Sequence, residues 1–106
     1  MIENKKMKSY ALHNFRTIPQ MELLSEEEKF TIEVVGNVLP FKVNNYVIDE
    51  LINWNDYNND PIYHLTFPQR GMLSDDHFNQ VAAWVQEGIS KPEMRKRVHS
   101  IRMELN

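Results

Sequence analysis

The strongest constraint on this chain is a helix whose two ends are both marked in the sequence. Ser25 is followed by three glutamates, and the third of them, Glu28, completes the pattern of a capping box. Pro40 cannot continue a helix, so the spacing predicts a helix from Ser25 to about Leu39. Its apolar residues fall on more than one face, which predicts a central and mostly buried helix. Gly36 costs roughly 1 kcal/mol relative to alanine inside a helix, so we expect it to permit a close approach.

Two weaker start signals occur on either side of this helix. Thr17 is placed to cap a short helix that has Pro19 in its first turn. Asn44 is placed to cap a helix from about residue 45 to 53, which carries one apolar stripe. The only strand candidate is the stretch from residue 39 to 43, and Pro40 weakens it because proline cannot donate to a sheet.

The second half of the chain carries two further helix patterns. Ser74 caps the first of them, and Gly88 supplies its stop. Ser90 and Glu93 form a second capping box at the start of the last helix. The apolar stripe of that helix consists of Met94, Val98, Ile101 and Leu105. Together these patterns predict an all-α fold of about five short helices in one compact domain.

The domain is expected to span residues 9 to 106, after a mobile basic tail from residue 1 to 8. The tail carries Lys5, Lys6 and Lys8 against the single acid Glu3. No apolar segment typical of a signal peptide follows, and no apolar run approaches the roughly 20 residues that span a bilayer. We therefore expect a cytoplasmic protein with no membrane partner.

Composition excludes several chemistries. The chain has no cysteine, so it cannot form a disulfide or bind zinc or an iron–sulfur cluster through thiolates. Its four histidines, His13, His64, His77 and His99, lack the spacing of a helical zinc site. Three glycines in all leave no phosphate-binding loop, and no nucleophile motif occurs. We expect no catalytic, cofactor-binding or metal-binding residue in this chain.

The stretch NWNDYNNDPIYHLTFPQ, residues 53 to 69, combines asparagines, aspartates and aromatic residues. From Asp56 to Asp60 it matches the first half of a calcium-binding EF-hand loop. The match fails where the loop needs glycine and has Pro61, and where it needs a bidentate glutamate and has Phe67. The preferred interpretation is a helix start, with Asp60 as the cap and Pro61 in the first position.

Two groups of residues are candidates for an interface. The aromatic residues of this stretch could form an exposed patch, although a small domain needs most of its aromatics in the core. They are Trp54, Tyr57, Tyr63 and Phe67. The last helix, from residue 91 on, has five basic and two acidic residues, a net charge of +3 in a chain of net charge −3. A basic helix could contact nucleic acid, or it could be a solvated face beside an apolar seam, and the negative total charge argues against nucleic acid. The interface candidates are Trp54, Tyr57, Phe67, Arg95, Val98 and Ile101.

The order of three stretches resembles the N-terminal helical region of the lysine 2,3-aminomutase family of radical S-adenosylmethionine proteins. The stretches are LLSEEEKFTIEVV, LPFKVNNYVIDELI and NNDPIYHLTFPQ. The shared features are the acidic helix start after Ser25, the small polar residue and tyrosine at residues 44 to 46, the turn ending in Pro61, and the downstream Pro68. The resemblance covers about residues 12 to 84, with a looser match to the end of the chain.

The resemblance implies an isomerase whose barrel carries a [4Fe–4S] cluster, S-adenosylmethionine and pyridoxal phosphate. The cluster motif and the Schiff-base lysine of such proteins belong to the barrel that follows this region, so no catalytic residue is carried over here. The expected role is a non-catalytic packing and assembly domain, with the barrel as its partner in cis or as a separate chain. A homo-oligomer is a further option. The alternative is a stand-alone binding module that contacts nucleic acid or an acidic protein through the basic last helix.

Overall fold

The computed structural model describes residues 7 to 105, and most of them are helical. The α-helices are α1 (Glu26–Val38), α2 (Pro61–Thr66), α3 (Asp75–Glu87) and α4 (Lys91–Leu105). Short 3-10 helices lie at Phe15–Thr17, Pro19–Leu23, Trp54–Asn59 and Arg70–Met72, and a π-helix lies at Val47–Leu51. Two short strands, β1 (Ser9–Ala11) and β2 (Lys42–Asn44), form an antiparallel pair. The predicted helical class is confirmed, with a small strand pair added and with more helical segments than the five expected.

Helix α1 begins and ends as the sequence predicts. The Glu28 N–H donates to Ser25 Oγ at 3.0 Å, and the Ser25 N–H donates to Glu28 Oε1 at 2.8 Å, so the capping box is complete. The helix ends before Pro40. In its last turn the Leu39 N–H donates to the Val35 carbonyl at 2.8 Å.

Helix α1 also separates two hydrophobic clusters and contributes to both. The first cluster contains Tyr10, Phe15, Ile18, Met21, Leu24, Ile32, Val43, Ile48, Ile52, Tyr63 and Phe67. The second contains Val34, Val35, Val38, Leu73, Val81, Val98 and Ile101. Because α1 gives Ile32 to one cluster and three valines to the other, the predicted central position of this helix is confirmed.

The strand pair corrects the strand candidate at residues 39 to 43. Strand β2 begins only at Lys42, beyond Pro40, and Val43 lies opposite Tyr10 of β1. Pairing continues at Lys8, whose N–H donates to Asn45 Oδ1 at 2.9 Å and whose carbonyl accepts from the Asn45 N–H at 3.0 Å. Residues 1 to 6 of the expected basic tail lie outside the described residues.

The remaining caps follow the sequence with some differences. Asn44 Oδ1 accepts from the Val47 N–H at 3.0 Å, as expected of a cap, but the helix it starts ends at Leu51 and has π geometry. The prediction that Thr17 caps a helix is wrong, because the Thr17 hydroxyl donates to the Asn14 carbonyl, three residues earlier, at 2.7 Å. The Ser74 cap and the Gly88 stop are confirmed, the latter with φ of 69°.

The last capping box is only half formed. The Glu93 N–H donates to Ser90 Oγ at 3.2 Å, whereas the Glu93 carboxylate accepts from Arg97 Nε at 2.8 Å. The arginine one turn along the helix thus takes the place of the backbone donor. Across residues 7 to 105, no helix combines the length and the apolar character that crossing a bilayer requires.

Candidate functional site

The Asp60 carboxylate organises the stretch from residue 53 to 69. One oxygen accepts from the Asn53 N–H at 2.5 Å, and the other accepts from the Ile62 N–H at 2.7 Å in the first turn of α2. These backbone hydrogen bonds, the one from Asn53 above all, hold the pKa of Asp60 below its ordinary value. Asp60 is therefore the helix cap that the sequence predicts, with Pro61 at the first helical position.

The calcium alternative finds no support in the same loop. Both oxygens of the Asp60 side chain are engaged by backbone donors, and Asp56 Oδ1 accepts from the Asn59 side chain at 2.9 Å. Within residues 7 to 105, no three acidic, histidine or cysteine side chains gather as metal ligands. The histidines are dispersed: His64 Nε2 lies 2.5 Å from the Asn58 carbonyl, and His77 Nε2 lies 3.0 Å from a Glu104 carboxylate oxygen.

The aromatic residues of this stretch form one packed group around Tyr63. Its ring centroid lies 5.1 Å from that of Tyr57, 5.2 Å from that of Phe67 and 5.8 Å from that of Trp54. Phe67 is only 1% exposed and belongs to the core, so it is not available to a partner of the folded domain. Trp54 and Tyr57 are half-buried, and the Trp54 indole N–H donates to the Ile48 carbonyl at 2.8 Å. The preferred prediction, that most of these aromatic residues belong to the core, is therefore the one the structure supports, because they form or line the first hydrophobic cluster.

A hydrogen bond that the sequence did not predict joins this group to α1. The Tyr57 hydroxyl lies 3.0 Å from each carboxylate oxygen of Glu28, the residue that completes the capping box. Desolvation and the neighbouring Glu28 carboxylate both raise the pKa of Tyr57, and burial raises that of Tyr63. The Glu28 side chain thus ties the start of α1 to the loop before α2.

One exposed apolar residue in the same stretch was also missed. Leu65 lies on α2 and is 87% exposed, although α2 is anchored by the Asp60 cap and by the buried rings of Tyr63 and Phe67. Its neighbours in sequence gave no indication of this, because a six-residue helix has too few positions to define an apolar face. Leu65 is therefore an apolar side chain that the fold leaves on the surface.

The last helix is attached to the body by its apolar seam. Val98 and Ile101 are 1% and 2% exposed in the second cluster, so these two interface candidates are used inside the domain. Leu105, expected in the same stripe, is 46% exposed. Arg102 donates to the Val38 carbonyl at 2.7 Å and to the Asn37 carbonyl at 3.2 Å, and so satisfies the C-terminal end of α1.

The charges of α4 divide into engaged and available groups. Arg97 and Arg102 are bound by Glu93 and by the carbonyls of α1, respectively. Lys91 and Arg95 are exposed and make no ion pair within the part of the chain that the structure describes. Of the six interface candidates, Arg95 is exposed, Trp54 and Tyr57 are half-buried, and Phe67, Val98 and Ile101 are core residues.

Fold and site together define a mostly helical domain whose conspicuous polar residues act as caps and links between elements. No family model, no curated protein and no solved structure matches the chain.

Proposed function

We propose that this chain is the non-catalytic packing and assembly domain of a lysine 2,3-aminomutase-like radical S-adenosylmethionine protein. In this proposal the catalytic barrel is the partner, in cis or as a separate chain, and the site of action is the cytoplasm. The residues of this chain do not fit the [4Fe–4S] cluster of such proteins, since cysteine thiolates hold it and the chain has none. The cluster, the S-adenosylmethionine and the pyridoxal phosphate are therefore assigned to the barrel.

The observation that supports the proposal is the convergence of the three resembling stretches on one structural unit. The first stretch supplies Ile32 to the first hydrophobic cluster, the second supplies Val43, Ile48 and Ile52, and the third supplies Tyr63 and Phe67. These residues pack several elements together, which is what a packing module requires. A shared role of this kind accounts for the order and spacing of the stretches without any catalytic group.

Leu65 is the residue of this unit that we propose as a contact with the barrel. It is the exposed apolar side chain of the third stretch, on the helix α2 that Asp60 caps. Covering such a side chain by a partner stabilises the complex by about 25 cal/mol for each Å² of apolar surface removed from water.

The first test is to read the gene beyond Asn106. An in-frame C-x-x-x-C-x-x-C motif is the expected result, and a stop codon with no such motif in a neighbouring gene would remove the proposal.

The second test is co-purification of the separately expressed barrel with this chain. Leu65→Glu should abolish the association, whereas Met103→Glu, which changes an apolar residue that is 59% exposed on α4, should retain it. Equal association of both variants would exclude Leu65 as the contact.

A further inference from the structure

A surface groove beside α1 has the composition of a peptide-binding groove. It has a volume of about 610 Å³ and lies between the turn after β1, the C-terminal half of α1, the loop of residues 40 and 41, the end of α3 and α4. Its floor includes Leu12 and Phe41, which pack on the first hydrophobic cluster, and Trp84 and Met94, which pack on the second. The groove is thus the place where partly buried apolar residues of both clusters meet the surface.

Gly36 makes the floor of this groove possible. A Cβ atom at this position would lie 3.0 Å from Phe41 Cε1 and 3.3 Å from Leu12 Cδ1. Because glycine leaves that space free, both side chains can lie against α1 and close the bottom of the groove. The close approach that the sequence predicts at Gly36 is therefore confirmed, and it is made by the groove residues themselves.

The rim of the groove is positively charged. Lys91 and Arg95 line it and make no ion pair among residues 7 to 105. Arg102 also lines it, with its guanidinium fixed on the carbonyls of α1. Glu33 contributes a carboxylate, which is already paired with Arg16 Nη2 at 3.0 Å. Two available cations therefore stand beside an apolar floor.

We propose that this groove binds an acidic peptide segment of a partner protein. An apolar side chain of the segment anchors on Phe41 and Trp84, while its carboxylates meet Lys91 and Arg95. The inference does not depend on the proposed function, because α2, which carries Leu65, does not line the groove.

Charge favours such a segment over a nucleic acid. Affinity for nucleic acid comes largely from basic side chains that neutralise many phosphates, and this groove offers two unpaired cations in a chain of net charge −3. The apolar floor matches a protein side chain and leaves a phosphate backbone without a partner. An amphipathic acidic segment uses both parts of the surface.

The two tryptophans of the chain allow a test with an internal control. The full ¹⁵N-labelled chain is titrated with a short synthetic peptide in which glutamates alternate with leucine and phenylalanine at helical spacing. The indole N–H resonance of Trp84, in the groove, should shift together with the amide of Gly36. The indole of Trp54, whose N–H is bonded to the Ile48 carbonyl, should not move. Absence of a Trp84 shift at saturating peptide, or equal shifts of both indoles, would overturn the proposal.

Charge variants then test the rim. The double reversal Lys91→Glu and Arg95→Glu should weaken peptide binding by about tenfold, as expected for the loss of two exposed ion pairs. Lys96→Glu is the control outside the groove: it places on α4 the same charge change as either single reversal, Lys91→Glu or Arg95→Glu, and should leave the affinity nearly unchanged. A dispersed amide spectrum confirms that each variant is folded.

Two more ligands separate the alternatives. A peptide with glutamine in place of every glutamate should bind about tenfold more weakly than the acidic peptide, for the same electrostatic reason. Single-stranded and duplex oligonucleotides should bind more weakly than the acidic peptide at every salt concentration. Equal binding of the two peptides, tighter binding of an oligonucleotide, or an equal loss in Lys96→Glu would each refute an acidic protein segment as the occupant.

Discussion

Gly36→Ala should destabilise the domain, although alanine is the better helix former. The new Cβ would lie 3.0 Å from Phe41 Cε1, closer than carbon atoms normally approach. The Phe41 ring cannot easily withdraw, because its centroid lies 5.9 Å from that of Phe15 and 5.8 Å from that of Phe67. The methyl group therefore enters space that two packed aromatic neighbours keep closed.

The magnitude follows from two opposing effects. Replacing glycine by alanine inside a helix stabilises it by about 1 kcal/mol. Inserting a methyl group into a well-packed core costs about 1–3 kcal/mol. The net effect on the free energy of unfolding should lie between zero and a loss of about 2 kcal/mol. For a domain of this size the larger loss lowers the Tm by on the order of 10 °C.

The other two glycines are natural controls in the same assay, urea denaturation followed by far-UV circular dichroism. Gly71→Ala meets nothing within 4 Å, so it should be neutral or stabilise by about 0.4–1 kcal/mol. Gly88→Ala places a side chain at a φ of 69° and should cost about 1–2 kcal/mol through backbone strain. If Gly36→Ala instead stabilised the protein by about 1 kcal/mol, Phe41 and Leu12 could not be packed against α1 as described.

Two further predictions concern the core of α4 and the cap of α2. Ile101→Ala, at a position 2% exposed, should lower the free energy of unfolding by about 2–5 kcal/mol, as measured by urea denaturation. Met103→Ala, on the exposed face, should change it by less than about 0.5 kcal/mol. Equal losses in the two variants would contradict the burial of the apolar side of α4. The pKa of Asp60 is lowered in the folded state, so its carboxylate stabilises the fold. This stabilisation is fully present above the ordinary aspartate pKa of about 3.9, and it is lost as the pH falls through the folded-state pKa. Asp60→Asn should therefore be less stable than the parent at neutral pH, and the difference should shrink on acidification; a difference that does not vary with pH would disprove the carboxylate's role.

Local patterns in the sequence were sufficient to predict where most helices begin or end. A capping box, an aspartate before proline and a glycine after an apolar stripe act on backbone groups within four residues, so α1, α2 and α3 begin or end where these signals stand. The strand pair could not be placed in the same way, because β2 is defined by a partner more than thirty residues away. Thr17 shows the limit of local rules, since its hydroxyl donates to the Asn14 carbonyl three residues earlier and does not accept from an N–H of the following helix.

The site residues were harder to place than the helices. Whether an aromatic or apolar residue lies inside or on the surface depends on which element covers it, and sequence periodicity does not name that element. Phe67 was an interface candidate and is covered, whereas Leu65, two positions earlier, was not a candidate and is exposed. The groove around Gly36 is assembled from five separate segments, and the sequence alone predicted only the close approach at Gly36.

The contact of Arg102 with the end of α1 has a consequence for how the chain folds during synthesis. Helix α1 is complete in sequence at Val38, but Arg102, which donates to its terminal carbonyls, is translated 64 residues later. Val98 and Ile101, which pack in the same cluster as its valines, are also made late. Until α4 has emerged from the ribosome, one side of α1 remains uncovered and its last carbonyls lack their arginine. Loss of α4 through an early stop codon would therefore leave a permanently exposed apolar surface, which is the usual target of chaperones and proteases.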